Sequence, residues 1–183
     1  MASTRLTRTH WVLGAFRRLA GGGPAALRIE PLARDLGATK GSFYHHFTGP
    51  DALRDAMLDY WEAEAVIAII EALAPLPPGA ARLRGLADMV DLALNPRHGG
   101  AGAEPALRDW ARTDASVAAA VARVDGARIA YVAECLGDAG LPPHPSARLI
   151  CAADIGLGLL TPPGDGGIGR HVHHLLDLLG LPR

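Results

Sequence analysis

Six groups of glycine and proline cut this chain into short lengths: Gly21-Gly22-Gly23-Pro24, Gly49-Pro50, Pro75 to Gly79, Asn95-Pro96 to Gly102, Gly140 to Pro145 and Pro162 to Gly167. Such groups break both helices and strands. What lies between them repeats its apolar residues at helical spacing, as Val12, Phe16 and Leu19 do. Composition decides how to read these lengths. Alanine occurs 34 times, more than Val, Ile, Thr, Phe, Tyr and Trp together at 32. The commonest residue is thus the best helix former, and the strand formers are scarce. The expectation is an all-α chain of about nine helices with no internal repeat. No apolar run approaches the ~18–20 residues needed to span a bilayer, and no apolar leader opens the sequence. A cytoplasmic protein with no membrane association is expected. Two cysteines, Cys135 and Cys151, make no disulfide framework.

The predicted helices cover about 5–20, 29–36, 40–47, 50–74, 80–94, 104–112, 114–137, 146–161 and 167–179. Pro50 suits the first position of its helix, where a missing N–H costs little. Gly37 suits a left-handed helix end, and Thr39 can cap the helix that follows.

The net charge of −1 hides a division. Residues 1–50 hold seven basic groups against Glu30 and Asp35, a balance of +5; residues 51–183 hold eleven against seventeen acids, or −6. A basic head on an acidic body suits a chain whose first part meets DNA. The domain division expected is therefore 1–50 for DNA binding and 51–183 for the acidic body.

Helices 29–36 and 40–47, joined by a short turn after a longer first helix, make a helix-turn-helix candidate. The second short helix must be exposed enough to enter the major groove yet fixed by a few apolar anchors. Phe43 and Phe47, four residues apart, serve as anchors. Thr39, Lys40, Ser42, His45 and His46 can face outward, and Gly41 lets the backbone come close to DNA. Arg5 and Arg8 suggest either an unstructured arm or one that reaches a groove or phosphate.

The run Ile29-Glu30-Pro31-Leu32-Ala33-Arg34-Asp35-Leu36-Gly37-Ala38-Thr39-Lys40-Gly41-Ser42-Phe43-Tyr44-His45-His46-Phe47 resembles the DNA-binding signature of TetR-family transcriptional regulators. The resemblance covers about residues 10–60. In the body, Leu107 to Arg112 and Val117 to Arg128 resemble a segment common in some members. It implies phosphate contacts for Lys40, Tyr44 and His46, and base or backbone contacts for Thr39, Ser42 and His45. Arg28 stands where the family usually has a capping Thr or Ser; it cannot cap but can reach phosphate. Gly49-Pro50 replaces the lysine usual near the start of the fourth helix.

The resemblance also implies a homodimer on a palindromic operator, with the last two helices forming an intersubunit bundle. The candidates for that seam are Leu149, Ala153, Leu157 and Leu160, then Val172, Leu175, Leu176 and Leu179. It implies a cavity for a small, partly apolar effector, with Trp61, Met89, Trp110, Tyr131 and Cys135 as possible lining residues. The expected function is an effector-responsive repressor, released when the ligand favours a displaced long helix. No cofactor, resident metal or enzymatic activity is expected. The alternatives are a ligand-independent DNA-binding protein, a helical interaction module, and an enzyme with zinc on His171 and His174, beside His173 and Asp177. The last lacks HExxH, CxxC, GxSxG and any phosphate-binding fingerprint.

Overall fold

The computed structural model describes residues 6–93, 102–160 and 167–182, with the side chains of 91–93 left aside. Every regular element among them is helical: α1 Arg8–Gly22, α2 Ile29–Asp35, α3 Lys40–Tyr44, α4 Pro50–Glu62, α5 Ala68–Leu73, α6 Ala80–Ala93, α7 Ala103–Trp110, α8 Ala115–Asp138, α9 Ser146–Leu160 and α10 Ile168–Leu178. A 3-10 turn, Pro24–Ala26, follows α1. The length expected to form one helix from residue 50 to 74 is continuous but not uniform. Between α4 and α5, Ala63–Ile67 adopts the wider π-helical winding, which periodicity does not reveal.

These residues fall into two compact units. The first comprises residues 6–61 and 102–119, and the second 62–93, 120–160 and 167–182. In the first unit α1 packs on α2 and also on α7. Its core is Trp11, Ala15, Phe16, Leu19, Leu32, Phe43, Met57 and Leu107, all almost fully buried. In the second, α10 lies against α6 and α9. Leu83, Ala87, Val132, Leu136, Ala147, Ile150, Val172 and Leu176 form its core.

Polar groups fix the helix ends. Thr7 opens α1: its hydroxyl accepts from the His10 N–H at 3.4 Å, and its own N–H donates to His10 Nδ1 at 3.0 Å. Two orphan donors are thereby satisfied reciprocally. Asp114 opens α8 by accepting the N–H groups of Ser116 and Val117 at 2.9 and 3.1 Å. In the second unit Arg84 of α6 holds the end of α10. Its guanidinium donates to the carbonyls of His173, Leu181 and Pro182 and pairs with Asp177 at 2.6 Å. Carbonyls at a helix C-terminus carry partial negative charge, so a half-buried cation is well placed there.

Candidate nucleic-acid interface

The turn between α2 and α3 is set by Gly37. Its φ of 63° is left-handed, a conformation that glycine adopts without steric cost. The Gly37 N–H donates to the Arg34 carbonyl at 3.1 Å and the Ala38 N–H to that of Ala33 at 2.8 Å. This pair of bonds is the Schellman arrangement that ends a helix sharply. The Thr39 hydroxyl oxygen then accepts the Ser42 N–H at 3.1 Å and opens α3. Its own proton remains available to an outside acceptor.

One face of α3 is sunk in aromatic contacts. Phe43 is fully buried, edge-on to Trp11 at 5.4 Å and stacked on Phe47 at 5.2 Å. The α1–α2 approach beneath it depends on Gly14, where a Cβ would stand 3.0 Å from Leu32 Cδ1 and 3.1 Å from Leu36 Cδ2.

The opposite face is open. Thr39, Lys40, Gly41, Tyr44 and His45 are exposed, and Ser42 and His46 are half-buried. A Cβ on Gly41 would meet only the Thr39 hydroxyl, at 3.6 Å, so internal packing gives no reason for glycine there. Tyr44 sets its ring edge-on to Phe43 at 5.3 Å and is half exposed. His46 leans on Trp11 and Phe47. Arg28 is exposed before α2 and makes no side-chain capping bond, as its chemistry requires. It borders a surface groove of about 430 Å³ shared with Arg18, Gly22, Ala25, Ala26 and Pro31.

One basic residue is placed differently from expectation. Arg8 is not in an arm. It begins α1, with its guanidinium 4.6 Å from the centre of the Phe47 ring and donating to the His46 carbonyl at 3.2 Å. Arg5 lies outside the described residues. Lys40 faces outward but is engaged: its Nζ donates to Glu30 Oε1 at 2.9 Å. The hydrogen bond and the charge of Glu30 hold the Lys40 ammonium above its ordinary value, and Lys40 holds the Glu30 carboxyl below its own.

The ligand candidates divide between the two units. Trp61, buried, and Trp110, half-buried, belong to the first unit. Met89, half-buried on α6, belongs to the second with Tyr131 and Cys135. These last two follow each other by one turn of α8 and join that unit's core. Burial pushes the Tyr131 hydroxyl up to about 12 and also raises the Cys135 thiol.

The seam candidates divide as well. Leu149 and Leu160 are exposed, at 65% and 81%, with Leu159 and Leu178 beside them in the count of large exposed apolar residues. Ala153, Leu157, Leu175 and Leu179 are half-buried. Val172 and Leu176 are buried at 4% and 1%. They point into the protomer's own core, so the α10 stripe read as a seam serves mainly that core. The period-3.6 pattern marks a face for burial without saying what buries it.

Two of the three histidines of α10 are engaged within the protein. His171 Nδ1–H donates to the Gly167 carbonyl at 2.8 Å, His173 Nε2–H to Asp88 at 2.6 Å, and Asp177 is taken by Arg84. Among the described residues no three possible metal ligands come together. No helix there is long and apolar enough to cross a membrane.

Residues 13–57 match the family model for bacterial regulatory proteins of the tetR family. No curated protein matches the chain. Solved structures match over nearly its whole length. A TetR-family transcriptional regulator from Streptomyces coelicolor is 19% identical with a TM-score of 0.77, covering 96% of this chain and 90% of that one. A protein from Saccharomonospora viridis solved in complex with choline is 16% identical with a TM-score of 0.72, covering 94% and 95%. The fatty acid degradation regulator FadR from Bacillus halodurans is 14% identical with a TM-score of 0.74, covering 98% and 96%. Residues 13–57, with α3 anchored and facing outward inside them, are thus similar to the helix-turn-helix domain of the tetR family, and the chain shares the fold of these solved structures over nearly its whole length.

Proposed function

We propose that the protein is a homodimeric, sequence-specific DNA-binding regulator, acting as a repressor that a small molecule releases from its operator. The observation that carries this reading is the two-sidedness of α3. Phe43 and Phe47 hold it rigidly, while Thr39, Lys40, Ser42, Tyr44 and His45 present donors and acceptors outward. Lys40, Tyr44, His46 and Arg28 are assigned to phosphate, and Thr39, Ser42 and His45 to base or backbone contacts, with Gly41 admitting a close approach. The division of labour falls near residue 50, with the later helices serving the partner and the effector.

One such helix reads few base pairs, and a second copy doubles the contacts and favours a palindromic site about one helical turn, ~34–36 Å, between centres. The exposed Leu149, Leu159 and Leu160 of α9 and Leu178 of α10 support a seam there, with Ala153 and Leu157 beside them. The effector is read as partly apolar, from the aromatic and polarisable residues Trp61, Met89, Trp110, Tyr131 and Cys135. The choline complex is a property of the Saccharomonospora protein; it supports the view that this fold accommodates a small ligand.

Mobility shift with the DNA upstream of the protein's own coding region tests the reading. A specific complex that weakens with salt supports it, and none at any salt concentration overturns it. A thermal-shift screen tests the effector: a ligand at ~100 times its Kd adds about 2.7 kcal/mol. A screen without any stabilising compound would favour the ligand-independent reading.

A further inference from the structure

The head contains two acids, and each is paired with a cation, but the two pairs differ in kind. Asp35 accepts Arg18 at 2.6 Å, and Arg18 is only 24% exposed and also donates to the Ala26 carbonyl at 2.7 Å. That pair ties α1 to the chain beyond it. Glu30 and Lys40 are 69% and 55% exposed and bridge α2 to the first residue of α3. Their pairing is not needed to join the two helices, because α2 and α3 already pack together, Leu32, Ala33 and Phe43 are buried, and the Gly37 turn closes the connection. Nor does Lys40 assist its own helix, since a cation at an N-terminus is disfavoured by the helix dipole.

We propose that Glu30 is a displaceable stand-in for a DNA phosphate: it occupies the Lys40 ammonium in the free protein and must give it up when DNA binds. The inference rests on the DNA-binding reading above. A carboxylate and a phosphate offer an ammonium the same chemistry, a charged oxygen acceptor. Glu30 has somewhere to go, because Arg34, one turn further along α2, already acts on its carboxylate. Arg34 is exposed on the same helix. DNA binding breaks the Lys40–Glu30 pair to make the Lys40–phosphate pair and leaves Glu30 only the weaker influence of Arg34. The loss of the first pair offsets part of the gain from the second and lowers affinity for DNA of any sequence.

The test uses the full chain and a fluorescein-labelled random-sequence DNA duplex, followed by anisotropy over a KCl series. Glu30→Gln is expected to tighten binding about two- to five-fold, the range typical of losing one exposed ion pair. In a Lys40→Ala background the same substitution should tighten binding no more than Asp35→Asn does. Asp35→Asn, which changes net charge equally, should keep its effect in that background, so general charge is separated from competition at Lys40. Unchanged circular dichroism of Glu30→Gln ensures that the fold is compared like with like. Unchanged or weaker binding by Glu30→Gln, or tightening beyond that of Asp35→Asn that survives Lys40→Ala, overturns the inference while DNA binding itself stands. If the unaltered chain shows no salt-sensitive binding, the DNA reading fails and this inference with it.

Discussion

Asp114 uses its two carboxylate oxygens for two different tasks: Oδ1 caps α8 through Ser116 and Val117, and Oδ2 receives Arg54 of α4 at 3.5 Å. Arg54 also pairs with Asp51 and Asp55, at 3.2 and 2.9 Å. One half-buried guanidinium thus joins the first turn of α4 to the start of α8 within the first unit. Asp114→Ala removes the cap and the partner together, and the cap alone is worth about 0.5–2 kcal/mol. Asp114→Asn keeps an oxygen for the cap but drops the charge. Denaturant melts should therefore rank the unaltered chain above Asn and Asn above Ala. Equal melts for all three would remove the cap from the account of stability.

Phe43 and Tyr44 are neighbours in sequence with opposite environments, and they separate folding from binding. Phe43→Ala empties a fully buried site and should cost about 3–5 kcal/mol, with loss of DNA binding because α3 loses its anchor. Tyr44→Phe removes one hydroxyl from a half-exposed ring and should leave the melt unchanged while weakening DNA binding. If Tyr44→Phe binds as tightly as the unaltered chain, its hydroxyl is not a phosphate contact.

The α9 surface offers a similar contrast with α10. Leu160, 81% exposed, and Leu149, 65% exposed, carry the proposed dimer seam, so the double substitution Leu149→Glu with Leu160→Glu should give a folded monomer. Leu176, at 1% exposure, should instead cost about 2–5 kcal/mol on truncation to Ala without changing the mass of the folded species. Sedimentation velocity beside circular dichroism distinguishes these outcomes. A dimer that survives both glutamates places the seam elsewhere.

Burial, reinforced by Asp154, pushes the Cys151 thiol up to about 11. Only the thiolate attacks iodoacetamide, so labelling at pH 8 should run on the order of a hundred-fold slower than for a free cysteine with a pKa of about 8.5. The sign for stability follows. A raised pKa means that the folded chain keeps a proton that the unfolded chain releases. The contribution is therefore complete below about pH 9 and is lost as pH rises towards 11. Labelling as fast as that of free cysteine in the folded protein would show that this thiol is not buried as described.

The helix pattern was legible because it depends on neighbours in the chain. Ser146 as the start of α9, Gly37 as the left-handed end of α2 and Thr39 as the cap of α3 all follow from local backbone chemistry. So do Phe43 and Phe47 as anchors, since residues four apart share a helix face. Other features had no local signal. Gly14 lies inside the helix expected over 5–20, and nothing local marks it as a packing residue until Leu32 and Leu36 are seen against it. Arg84 reads as a surface charge until the carbonyls of Leu181 and Pro182, almost a hundred residues away, are found around it.

By itself the sequence determined an all-helical chain, the place of the short helix pair and the basic character of the head. All three are sums over adjacent residues or over composition. Only the tertiary structure decided which apolar stripes are spent inside the protomer. Val172 and Leu176 turn inward while Leu149 and Leu160 remain outside, although all four read alike as helical apolar positions. The same holds for charge. Arg8 lies over Phe47 and Lys40 against Glu30, because a side chain's partner is set by what packing brings within reach, and a linear pattern gives only the period of burial and not the identity of the neighbour.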